Sequence, residues 1–373
     1  MTDTALDTIE TAFARDCNEG LATLAAQLRS ERRFHDLFEL RLVQARHAAG
    51  LPLVATSSLD DLCEPLRTQM EQAYLNACRE IGAWLLEENM IREAWMYLRP
   101  VGDKATIRAA LEQNISEDNF EMMIEMAVYE GIAPAWGFSQ VLNHYGLCNA
   151  ISMFDAELPK LSRYEKQEIA SSLVRFIHRE LLESLERDIQ RQEGARPKEK
   201  TIAELVADRD WLFADDNYHI DTSHLNSVVR FALLVDDRDV LRLAVDLTEY
   251  GRRLNQQFQF AGETPFTEAY PSSALFFRAL LGENVEQALA FFKNKATERP
   301  VSEIGSGPAE VYISLQSRLG HYDEAMRAVA ELLPPEARGG HFAPSLYELA
   351  QMSHRYDCLR EVARQRGDLL GLG

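Results

Sequence analysis

The chain has 373 residues, 46% of them hydrophobic, with 39 lysines and arginines against 59 acidic residues and a formal charge of −20. That is enough apolar material for one long solenoid or two packed helical domains, and it argues against disorder. No basic stripe offsets the charge, which disfavours nucleic acid and anionic membrane surfaces as partners.

Five cysteines, Cys17, Cys63, Cys78, Cys148 and Cys358, are scattered, odd in number and free of any CxxC pair. That usage fits a reducing compartment rather than a disulfide framework. The start, Met1-Thr2-Asp3-Thr4, lacks the features of a secretion signal, and no apolar run nears the roughly 18 residues of a membrane span. The expected location is the cytoplasm.

In chain order, Leu21, Leu24 and Leu28, then Phe34, Leu37, Phe38 and Leu42, recur at three- and four-residue spacing and predict two amphipathic helices hinged near 30–33. Gly50-Leu51-Pro52 reads as a short loop. Residues 69–101 predict a second pair, and 119–145 a third that bends around 131–134. From 164 to 192 a long helix carries Ile169, Leu173, Ile177, Leu181, Leu185 and Ile189 on one stripe, opened by a capping box of Ser162 with Glu165. The polar, proline-bearing stretch 195–200 marks a boundary between an N-terminal array, 1–194, and a C-terminal array, 201–373. Thr201 with Glu204 forms a second capping box. Helix pairs follow at 225–254, 273–296, 309–333 and 346–366, and strand-type alternation is nearly absent.

Val285-Glu286-Gln287-Ala288, Tyr322-Asp323-Glu324-Ala325 and Tyr356-Asp357-Cys358-Leu359 recur at steps of 37 and 34 residues. Steps of that size mark stacked helical hairpins, because one hairpin cannot bury its apolar face alone. Gly320 to Ala325, closing with Pro334-Pro335, resembles the turn and second helix of a tetratricopeptide repeat. Residues 78–98 are similar, with Gly82 and Ala94 at the two small positions. Ile313 and Leu332 depart from the pattern, and 150–257 departs from the period altogether. The resemblance implies an all-α fold of stacked antiparallel helix pairs in a right-handed superhelix with an irregular middle. It also implies a concave groove for a protein or peptide segment.

The search for chemistry finds Tyr218-His219-Ile220-Asp221-Thr222-Ser223-His224. Two histidines and a carboxylate suit zinc or iron with positions left open, making His219, Asp221 and His224 candidate metal ligands. Equally, Asp221, Thr222 or Ser223 suits the cap of the helix carrying Leu225 and Val228. Tyr218, His219 and His224 can instead form a ligand-binding surface. His144 and Cys148, four apart, would make a nucleophile dyad on a continuous helix; Gly146 between them favours a helix end and a buried thiol. His178 on the long stripe reads as a hydrogen-bonded core histidine, or as a further metal ligand. The aromatic connection 256–271 adds Phe258, Phe260 and Tyr270 as candidate ligand-binding residues.

These readings lead to a cytoplasmic binding or scaffolding protein without catalysis or cofactor of its own. Its partner would be a basic or neutral protein segment. The second reading is an all-α metal-dependent hydrolase or lyase using the cluster at 219–224.

Overall fold

The computed structural model describes residues 3–54, 58–334 and 342–373, without the side chains of Asp3 and Asp215. Among these residues there are twenty α-helices and no strand. The expected all-α class is therefore what the chain adopts. Among the described residues no helix is long and apolar enough to cross a membrane. Pro335 of the repeat motif lies outside the described residues.

The chain divides into two compact units, ending and beginning at Gly137 and Phe138. The first holds α1 (Asp3–Arg15), α2 (Cys17–Ser30), α3 (Phe34–Ala48), α4 (Leu66–Glu87), α5 (Ile91–Val101), α6 (Lys104–Asn114) and α7 (Phe120–Ile124). A π-helical turn, Glu125–Tyr129, then leads to α8 (Pro134–Glu157), in whose first turn the division falls. The second unit continues with α9 (Arg163–Glu193), α10 (Ile202–Ala207), α11 (Thr222–Ala232), α12 (Arg238–Arg253), α13 (Ala269–Leu280) and α14 (Val285–Thr297). It closes with α15 (Val301–Ile304), α16 (Gly307–Arg318), α17 (Tyr322–Leu332), α18 (Leu346–Ser353), α19 (Tyr356–Arg366) and α20 (Leu369–Leu372). The division expected at 195–200 therefore lies inside the second unit, where α9 packs against α10, α11 and α12 beyond that stretch. Burial explains this: Ile169, Leu173, Ile177, Leu181, Leu185 and Ile189 of α9 are all covered, so the long helix needs the helices that follow it. Both capping boxes form, Ser162 with Glu165 and Thr201 with Glu204.

Val285, Tyr322 and Tyr356 are each the first residue of a helix, so the recurring motif marks the start of α14, α17 and α19. A common turn precedes many of these starts. Arg32, Asn89, Gly102, Gly320, His354 and Gly367 each lie two residues before a helix and have φ between 56° and 82°. The residue after each returns to φ between −81° and −98°. In five of the six, that residue's N–H donates to the carbonyl five positions back, as Met90 does to Leu85 at 2.8 Å and His321 to Gln316 at 2.9 Å. The bond satisfies a carbonyl that the ending helix leaves open and reverses the chain in two residues.

Helix pairs then close through small residues. An added Cβ at Gly82 of α4 would stand 2.5 Å from Leu98 Cγ of α5, and one at Gly251 of α12 would stand 2.4 Å from the Tyr270 ring of α13. These two pairs are among the most extensively packed in the molecule. Ala94, Ala288 and Ala325 are fully buried, and so is Ile313, while Leu332 stays part-exposed. Because Leu98 meets position 82 at its branch point and is itself buried, it cannot swing aside. Gly82→Ala is expected to lower stability by roughly 1–3 kcal/mol, despite alanine's advantage of about 1 kcal/mol in helix propensity. In urea melts, Leu98→Ala in the same chain should remove the clash, with a coupling of about 0.5 kcal/mol or more. A Gly82→Ala chain as stable as the parent would mean that the crossing is not tight.

Candidate functional site

The second unit holds a cavity of about 410 Å³. Its floor is Arg318, in the last turn of α16, whose side chain is only 7% exposed. The guanidinium reaches the loop after α11: Nη1 donates to the Leu233 carbonyl at 2.6 Å and Nη2 to that of Val235. Nε lies 2.7 Å from Asp236 Oδ1, an ion pair whose angle falls short of a hydrogen bond. Burial pulls Arg318 down to about 10, with Asp236 opposing and Arg163 adding to the shift. It is still a cation at neutral pH. Its two carbonyl bonds stitch α16 to a turn more than eighty residues earlier.

Asp236 is the hub. Arg163 Nη2 is 3.1 Å from its Oδ2, and Gln167 Nε2 donates to the same oxygen. Lys166, one helical step along α9 and half-buried, also lines the cavity and has no ion-pair partner among the described residues. The remaining acid, Glu348, is engaged by the backbone of Ser345 in the cap of α18. Leu233, Leu234, Phe342 and Met352 supply apolar wall. Among the described residues, lining cations number three (Arg163, Lys166, Arg318) against two carboxylates (Asp236, Glu348). A second cavity of similar volume, beside α13, differs in this respect. There Arg252 and Arg278 both pair with Glu249, at 2.6 and 3.1 Å.

The cluster at 218–224 is spread over several tasks. His219 is buried: its N–H donates to Tyr250 Oη at 2.7 Å, and Nδ1 lies 3.2 Å from the same oxygen. Nε2 stands 3.2 Å from Asp188 Oδ2. Asp221 caps α11, accepting from the N–H groups of Ser223 at 2.9 Å and His224 at 3.2 Å. The Ser223 hydroxyl bond, followed by these N–H groups, holds its carboxyl below the usual range. His224 is half-exposed on α11. Among the described residues no three His, Cys, Asp or Glu side chains are grouped to hold a metal ion, so His219, Asp221 and His224 do not come together as ligands. His178 bonds Asp246 through Nε2 at 3.1 Å, and Asp246 also accepts the Ile202 and Ala203 N–H groups that open α10.

Other candidates are placed differently from the expectation. Gly146, with φ 80° and ψ 179°, breaks α8 between His144 and Cys148. Cys148, two residues beyond the break, is exposed, not buried. His144 packs edge-on against Tyr145 at 4.7 Å. Tyr218 is exposed and packs edge-on against Phe258 at 5.1 Å, while Phe260 faces outward. Tyr270 is not a loop residue: it lies in the first turn of α13, buried against Gly251. Pro271 is tolerated there because the first N–H groups of a helix have no partner to lose. Burial raises the phenols of Tyr250 and Tyr270.

The cavity residues were not singled out by sequence reasoning. Arg318 bonds mainly to backbone carbonyls, which carry no side-chain signature, and at the start of α9 Arg163 and Lys166 alternate with Glu165 and Glu168, which hides their charge in the sequence. Set against protein-family models, curated proteins and solved structures, the chain matches none.

Burial holds the His219 imidazole below its ordinary value of 6.5, against the opposing pull of Asp188. The unfolded chain therefore binds the proton more readily. This residue's contribution to stability is full above the ordinary value and is lost as pH falls through the depressed folded value. Between about pH 7.5 and 5.5, His219→Gln is expected to lose less stability than the parent in urea melts. Equal losses in the two chains would place the proton elsewhere.

Proposed function

We propose that this chain is a cytoplasmic, non-enzymatic helical-repeat protein that holds a segment of a protein partner. In this reading its hairpins are tetratricopeptide-like and wind in a right-handed superhelix. The cavity at Arg163, Lys166 and Arg318 is the point where the partner is anchored. One observation carries the reading: helices far apart in sequence converge on a fixed, buried cation beside apolar wall and a cation without a partner among the described residues. That mixture of a few placed polar groups with apolar lining is the usual make-up of a binding pocket. The free thiols Cys63 and Cys148, both exposed, suit a reducing compartment.

The candidate reacting groups support binding over catalysis. His219 is enclosed by Tyr250 and Asp188, Asp221 is engaged in a cap, and His178 serves Asp246. None of them lines the cavity around Arg318.

Selection of a displayed random-peptide library on the purified chain tests this. Enriched peptides are expected to bind in calorimetry and to lose at least about tenfold in affinity, equivalent to 1.4 kcal/mol, in a Lys166→Glu chain with an unchanged circular dichroism spectrum. Failure to enrich any peptide, or equal binding by the variant, would overturn the proposal.

A further inference from the structure

We infer that the anchoring group taken by this cavity is a single carboxylate, presented beside an apolar side chain. The inference rests on the binding role proposed above and names the chemistry of that site. It runs against the composition, since a chain of charge −20 suggests basic or neutral partners. The local balance has the opposite sign.

The argument is one of counting charges in place. Asp236 already serves Arg163, Gln167 and Arg318, so one carboxylate is shared by two cations and an amide. Glu348 is turned to the cap of α18. Among the described residues the lining is left with one positive charge in excess, and Lys166 is the lining cation without an ion pair. Both Lys166 and Arg163 stand in the first turns of α9, where the helix presents its positive end. An incoming carboxylate would neutralise that excess. A phosphate, carrying a charge of about −1.5 to −2, would leave the cavity negative next to two existing carboxylates. A cationic group would add to the excess of positive charge already lining the cavity. The apolar wall of Leu233, Leu234 and Met352 accommodates a neighbouring side chain, which gives the selectivity that one ion pair lacks.

Four displayed libraries separate the sources of the carboxylate. Two have free C-termini and two are amidated; in each pair one allows Asp and Glu and the other omits them. Peptides that depend on Lys166 are expected from the free-terminus library that allows acids and from one of the two libraries holding a single kind of carboxylate, and not from the amidated, acid-free one. Enrichment from the amidated acidic library assigns a side chain, and enrichment from the free acid-free library assigns the chain terminus. Affinity of a selected peptide should fall roughly tenfold or more when its acid becomes the amide, Glu→Gln or Asp→Asn. In a Lys166→Glu chain the selection should turn toward basic sequences. Lys166-dependent peptides from the amidated, acid-free library, or phosphopeptides that outcompete their carboxylate counterparts, would overturn the inference while leaving the peptide-binding role standing. No enrichment from any library would remove both.

Discussion

Close approach of paired helices is the constraint on which the rest of this structure depends. At Gly82 and Gly251 the facing side chains, Leu98 and Tyr270, occupy the space that any β-carbon would need. Gly20 of α2 stands in the same relation to Phe13 of α1. In each case a large side chain on one helix lies directly on the backbone of the other, and the pair gains contact along much of its length. The pairs joined in this way, α1 with α2, α4 with α5 and α12 with α13, are the three most extensively packed. The buried alanines at 94, 288 and 325 extend the same logic to neighbouring surfaces.

That packing brings distant segments to the cavity. Arg318 can bond the Leu233 and Val235 carbonyls only because α16 is held beside the end of α11, through α13 and α14. The interaction satisfies two carbonyls at a helix end that lack intrahelical partners, and it fixes Asp236 where Arg163 and Gln167 can share it. The same guanidinium closes a helix end and lines the cavity. Lys166 is the freer element, and the surplus charge resides with it.

Much of the architecture was legible because the signals were local. The two capping boxes, the long stripe of α9 and the starts of α14, α17 and α19 depend on residues within a few positions of each other. Helix α6 was harder to read: only Ile107 and Leu111 are buried along it, too short a stripe to declare a period. Two of the tight turns were hidden for another reason. Gly102, Gly320 and Gly367 carry the expected residue for positive φ, and the hinge at Arg32 shows as a break between two apolar stripes, whereas Asn89 and His354 turn the chain inside a predicted pair without a glycine. Tyr270 was misread because Pro271 suggested a loop, although a first helical turn accepts proline. At 218–224 the residues supported two readings at once, and only tertiary burial of His219 separates cap from ligand. The cavity was not legible at all, since its members are scattered from 163 to 352 and its central bonds end on main-chain oxygens.

The two-residue reversal has a consequence for how such a chain can change length. One extra residue at 32–33 or 89–90 would rotate the following helix by about 100° about its axis. The stripes of α3 and α5 that now face inward would then turn toward water. Growth by single residues is thus penalised at these joints: a reversal closed in two residues fixes the phase of the helix that follows as firmly as its direction.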